Sequence, residues 1–215
     1  MMSPIDDRFL DQLASELKPV SPLGDRRVGF ALLGLGLVGM ILVSATLGPR
    51  ADILAGTPHP IVLFRGGTLL MLGLICAAAA SSMARPGVGR AGKGWLAAVA
   101  MASMVPLTAL GQALTDPAAT FRAVWWPSAI TCLAVSLTAA AGFAAILVWH
   151  LRRGAPVAPE RASIVTGIAA GSLGVLTYAV HCPSNEIAYI GLWYGLAIAI
   201  STAVCRLVVP SLIRW

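Results

Sequence analysis

Charged side chains are scarce in this chain of 215 residues: Asp, Glu, Lys and Arg together supply 11% of it, against about 25% in an average globular domain. A soluble fold of this length must coat its surface with polar groups, and so few cannot do it. The apolar share is 58% and the mean hydropathy +0.83, which excludes disorder as well. Aromatics are few, at 7%, and no basic cluster interleaves with them, so the net charge of +6 is no sign of a nucleic-acid partner. The four cysteines include no C-x-x-C pair, which removes the vicinal dithiol of a membrane thiol oxidoreductase. What the chain has in abundance is long apolar runs.

Six of those runs reach the roughly 20 residues that a helix needs to cross about 30 Å of hydrocarbon: Val28 to Leu47, Ile61 to Ala84, Trp95 to Ala113, Pro127 to Trp149, Ser163 to Val180 and Ile187 to Cys205. They are too long for barrel strands of about 9–11 residues. The expected fold class is all-α, a polytopic membrane protein with six transmembrane helices. Residues 1–27 form a soluble N-terminal segment and residues 28–215 the membrane domain. The leader holds Asp6, Asp7, Asp11, Glu16 and Asp25, unlike the short basic start of a signal peptide, so the first run is read as a retained helix. Only Arg65 brings a charge into a span, four residues from its end, where it is placed to snorkel to the headgroups.

Orientation follows from Lys and Arg. With the N-terminus inside, twelve fall on the inner side and only Arg50, Arg65 and Arg122 on the outer. That positive-inside bias puts both termini in the cytoplasm. Trp125 and Trp126, Trp95 and Trp149, and the group Tyr189, Trp193 and Tyr194 fit interfacial aromatic belts.

Two glycine patterns read as packing. Gly34, Gly36 and Gly39 match the dinucleotide-binding fingerprint, but that motif needs a strand before it and free N–H groups at a helix start; here it lies inside an apolar helix. Ser163, Gly167 and Gly171, and Gly191, Gly195, Ala199 and Ala203, recur at spacing four. Such stripes allow close helix contact in lipid, between these two helices or between copies in a homo-oligomer.

The leader opens like a helix, with Ser3 as cap, Pro4 in the first turn and Asp6 following. Ile5, Phe9, Leu10, Leu13 and Leu17 make one apolar stripe, with Asp7, Asp11 and Glu16 on the other faces. Lipid-surface helices usually carry bases there. An acidic amphipathic helix instead suits a basic groove on a cytosolic protein, although packing beneath the bundle is a competing reading.

Cys76 and Cys205 read as small apolar packing residues. Cys132 and Cys182 each stand 19 residues above the inner end of their helix, taking Leu151 and Ser163 as those ends. Both therefore sit about 28 Å up, level with each other near the outer face. They are two unrelated small residues, a pair able to form a disulfide, or two ligands for a soft metal ion. His181 is positioned to lower the thiol pKa or to add an imidazole, with Glu186 nearby. Two thiols and an imidazole fall short of a closed zinc site, which favours a labile, sensing role.

The run Leu151-Arg152-Arg153-Gly154-Ala155-Pro156 through Tyr178-Ala179-Val180-His181-Cys182-Pro183, then Leu192-Trp193-Tyr194 and Ile213-Arg214-Trp215, resembles the NrsF-like negative regulators of sigma F. The leader's Leu17-Lys18-Pro19-Val20 is similar too. The resemblance spans essentially the whole chain and is densest from Pro127 onward. It implies a six-helix anti-sigma factor of the bacterial inner membrane, not an enzyme and without a cofactor. Its leader would bind an extracytoplasmic-function sigma factor. Its cysteine pair, matched by Cys132 and Cys182, would respond to metals or oxidants in the periplasm. A small transporter is the other alternative, but apart from Pro106 the spans lack the midplane breaks and ionisable groups of transport.

Overall fold

The computed structural model describes Ser15 and residues 24–85, 94–125, 128–154 and 156–213. The described residues form helices throughout: α1 (Asp25–Leu47), α2 (Ala51–Leu54), α3 (Pro60–Met83), α4 (Gly94–Thr115), α5 (Pro117–Val124), α6 (Ala129–Arg152), α7 (Pro159–Ala179) and α8 (Ile187–Ile213). Six of these, all but α2 and α5, are long and apolar enough to cross a membrane. They match the six expected spans to within a few residues, except that α8 runs on to Ile213.

Local chemistry sets several ends. Gly48 closes α1 at φ +83°, a conformation that side chains disfavour, and donates its N–H to the Ser44 carbonyl at 3.1 Å. Pro60 occupies the first turn of α3, where its missing N–H costs nothing. There the His59 ring accepts the Ile61 N–H at 3.3 Å. Within α8 the segment Ile190–Tyr194 widens into a π-helical turn, which re-aims the residues that follow it.

The bundle is built around α7. Of its apolar window 89% is buried, against 12–33% for the other five spans. Glycines make this possible. A Cβ at Gly171 would lie 2.8 Å from the Ile198 Cα of α8, one at Gly167 would collide with the Thr202 backbone, and one at Gly174 would collide with the Ser136 carbonyl of α6. The stripe on α7 is thus a contact with α8 on one side, as its spacing suggests. On another side Gly174 meets α6. Gly39 of the fingerprint-like pattern lies in α1, where its missing Cβ makes room for Thr177 of α7.

Outward faces are apolar: Phe30, Phe64, Leu114, Ile130 and Leu207 are all at least 65% exposed. Such a surface needs hydrocarbon around it. Six crossings bring the start of α1 and the end of α8 to one end of the bundle. That end also gathers Asp25, Arg85 and His150. The opposite end carries Arg50, Arg65, Cys132 and Cys182.

Candidate functional site

The cysteine end is organised by two arginines. Where α7 stops, the N–H groups of His181 and Cys182 turn back to the Tyr178 carbonyl, at 3.0 and 3.3 Å. The remaining carbonyls of the helix terminus have no partner within the helix. Arg65 of α3 supplies one: its Nη2 donates to the carbonyls of Ala179 (3.2 Å) and Cys182 (3.0 Å), and its Nη1 to Ser184 (2.7 Å). Arg50, just past α1, donates Nη1 to the same Cys182 carbonyl and Nη2 to Asn185 Oδ1 at 3.2 Å. Cations at a helix C-terminus also suit its dipole. Asp52 holds Arg50 in a two-pronged grip at 2.8 and 2.9 Å. The Arg50 hydrogen bonds hold the Asp52 carboxyl well below the usual carboxylate range, and the pairing raises the already high pKa of Arg50.

Arg65 therefore corrects an expectation. It does not snorkel to the headgroups; it is 4% exposed and points inward, because three carbonyls there offer what water would otherwise supply. Tyr189 and Tyr194 do not belong to an aromatic belt either, being 0% and 2% exposed. Trp193 donates its ring N–H to the Val124 carbonyl at 3.0 Å.

Beneath the arginine clamp lie the two thiols. Cys132, one turn into α6, and Cys182, in the turn after α7, are both fully buried free cysteines. Each is within electrostatic reach of the other. Hydroxyl groups surround them: Tyr189 and Ser136 border Cys132, and Tyr194 borders Cys182. Ser128 and Tyr189 share a contact of 3.4 Å. The hydroxyls of Ser136, Tyr178 and Tyr194 and the Nε of Arg65 have no hydrogen-bond partner among the described residues. The Tyr194 ring stands 5.8 Å from the Arg65 guanidinium. The two thiols are thus packed in a buried, hydroxyl-rich cluster.

Above the clamp an open cleft of about 720 Å³ is lined by Arg50, Asp52, His59, His181, Pro183 and Asn185. It is the approach to the Cys182 turn. His181 donates from Nδ1 to the Gly48 carbonyl at 2.7 Å, since a carbonyl can only accept. Its Nε2 is therefore the nitrogen that can accept. Among the described residues no group of three or more His, Cys, Asp and Glu could hold a metal ion.

Residues 13–215 match the family model described as "Negative regulator of sigma F". The chain belongs to that family. Relatives of the negative regulator of sigma F family include the anti-sigma-F factor of Caulobacter vibrioides, 25% identical over 212 residues, which covers 97% of this chain and 99% of that protein. A probable anti-sigma-F factor of Azospira oryzae is 34% identical over 83 residues, 39% of this chain and 38% of that protein. No solved structure matches.

For this family member the structure brings Cys132, His181 and Cys182 to one end, with the imidazole turned toward Gly48. Ile5, Asp7, Phe9, Leu10, Asp11, Leu13, Glu16 and Leu17 lie outside the described residues. Sequence reasoning missed the roles of Arg50, Arg65 and the three tyrosines. The signal for Arg65 was present: an ionisable residue inside a span is a functional candidate by default.

Proposed function

We propose that this protein is a membrane anti-sigma factor, a regulator rather than an enzyme. Residues 1–27 hold an extracytoplasmic-function sigma factor at the inner membrane, with both termini in the cytoplasm. Ile5, Phe9, Leu10, Leu13 and Leu17 act as apolar anchors, and Asp7, Asp11 and Glu16 as charge partners. The observation that carries this reading is the family match over residues 13–215, together with relatives named as anti-sigma-F factors. Cys132 and Cys182 then report periplasmic metal or oxidant stress.

The buried packing of the two thiols supports sensing by packing. Both thiols are fully buried, so neither can meet the active site of another protein, as thiol–disulfide exchange requires. The cleft is lined by His181 and Pro183 on either side of Cys182, so a small reagent reaches the thiols once that turn opens. Any added bulk or sulfur–metal bond must displace closely packed neighbours, at a cost of about 1–3 kcal/mol per overpacked site. A full switch from 99:1 to 1:99 takes about 5.5 kcal/mol. Overpacking at one thiol is too little. Reaction at both, with loss of the Arg65 bonds to the Cys182 turn, reaches that scale.

The test is capture of the sigma factor encoded beside this chain by the full-length protein in membranes. Leu13→Asp with Leu17→Asp should abolish capture while the protein still inserts. Retained capture by that variant removes the anchor assignment.

A further inference from the structure

The end opposite the cysteines carries a cluster that the sensing scheme does not use. Asp25 opens α1 within the last three residues of the N-terminal segment. It pairs with Arg85, just past the end of α3, and stands 3.6 Å from His150 Nε2 on α6. His150 is 2% exposed, and its Nε2 has no hydrogen-bond partner among the described residues. A histidine buried this deeply and facing the root of the leader is costly to keep. Its position along α6 gives it a use.

The buried stripe of α6 runs Cys132, Ser136, Ala140, Phe143, Leu147, His150. The steps are four or three residues throughout, so all six share one face. Buried Ala129 and Leu151 extend it slightly at each end; Cys132 and His150 lie near those ends, eighteen residues and about 27 Å apart, or five full turns. This stripe meets α7 with backbone against backbone at Gly174. A helix packed that closely moves as a rod or not at all, because tight interfaces switch between discrete arrangements rather than deform. By contrast α1 is peripheral, with only Val28, Leu32 and Val43 buried. Its leader end is pinned by Val28, Leu32 and the Asp25 contacts.

We infer that Asp25, Arg85 and His150 form a latch through which α6 positions the root of the N-terminal segment, so that a change of packing at Cys132 loosens the leader from the other end of the same helix. This deepens the anti-sigma reading by supplying the route from thiol to leader, and it rests on that reading for its biological meaning. His150 and Arg85 are positioning residues: they act through Asp25.

The experiment uses the full-length chain in lipid nanodiscs and reads hydrogen exchange at the Gly29 to Leu33 amides. Asp25→Asn and His150→Phe should each speed exchange there about fivefold, the scale of a partly exposed ion pair, with α8 amides unchanged. Cys132→Met, which adds bulk at the far end, should do the same, and combining it with Asp25→Asn should add nothing further. Ile130→Phe, facing lipid on the same helix, should have no effect. Independent, additive effects of Cys132→Met and Asp25→Asn would overturn the latch, as would normal α1 exchange in Cys132→Met. Should Cys132→Met fail to fold, methylthiolation of Cys132 in a folded chain lacking the other three cysteines supplies the same perturbation. Sigma capture measured on the same nanodiscs judges the anti-sigma reading separately. If the wild-type chain captures nothing while the exchange pattern holds, that reading falls and the latch stands.

Discussion

Replacing Arg65 with methionine keeps the length and apolar stem of the side chain and removes its head. The carbonyls of Ala179 and Ser184 then lose this donor and that of Cys182 keeps only Arg50, in a site where the arginine is 4% exposed. A hydrogen bond from a charged group contributes about 1.5–3 kcal/mol. Three such bonds from one guanidinium do not add fully, since loss of the first lets the turn relax. Relief from desolvating the charge offsets part of the loss. The expected net destabilisation is about 2–5 kcal/mol, from two buried carbonyl acceptors left without this donor at about 1–3 kcal/mol each. Arg65→Lys should fall between, because an ammonium is a point charge without the planar fork that reaches several carbonyls at once. The assay is unfolding in mild detergent by SDS titration, paired with labelling of Cys182 by a membrane-impermeant maleimide. Arg65→Met should unfold at markedly lower SDS and expose Cys182 before global unfolding, while Cys76, buried in α3, stays protected. A wild-type midpoint with Cys182 still unlabelled would refute the clamp.

Further expectations concern packing, pH and signalling. Gly167→Ala should destabilise by about 1–3 kcal/mol because its Cβ collides with the Thr202 backbone. Gly34→Ala, with nothing within 4 Å, should be neutral or stabilising by up to about 1 kcal/mol; equal effects in SDS titration would contradict the α7–α8 seam. The Asp52 carboxyl is held below its ordinary value of 3.8, first by Arg50. Its contribution is fully present above that value and is lost as pH falls below it, so melting curves from pH 5 to 2 should show an acid-side loss that Asp52→Asn flattens. Cys132→Ser with Cys182→Ser should leave the folded bundle and sigma capture intact while abolishing the response to metal or oxidant; an unchanged response in cells would falsify the sensing role.

Hydropathy and length made the six spans legible, because a lipid-crossing helix leaves few alternatives for twenty apolar residues. The α7 stripe announced a close approach to α8 correctly, but Ile198, Ser201 and Thr202 receive it; the stripe on α8 faces elsewhere, with Gly195 against Pro106 of α4. The partner of each glycine was not legible: Gly174 against α6 and Gly39 against Thr177 depend on how helices rotate about their axes, which one sequence does not encode locally. Arg65 shows the same limit. Its depth in α3 is identical whether the side chain reaches outward to headgroups or inward to carbonyls. Only the turn after α7, brought over from more than a hundred residues away, decides between them. Tyr189 and Tyr194 looked interfacial by depth alone, and it is the packing of α8 that buries them.

The position of α7 in the chain has a consequence for biogenesis. Four of the six spans leave the ribosome before it, yet each of α1, α3 and α6 meets its closest glycine-lined or leucine-lined contacts on α7. Until that helix enters the bilayer, the earlier ones have little to gather around and must wait as loosely associated neighbours. The hub arrives fifth, so any stall or truncation ahead of Pro159 leaves a set of inserted but unassembled helices, a natural target for membrane quality-control proteases.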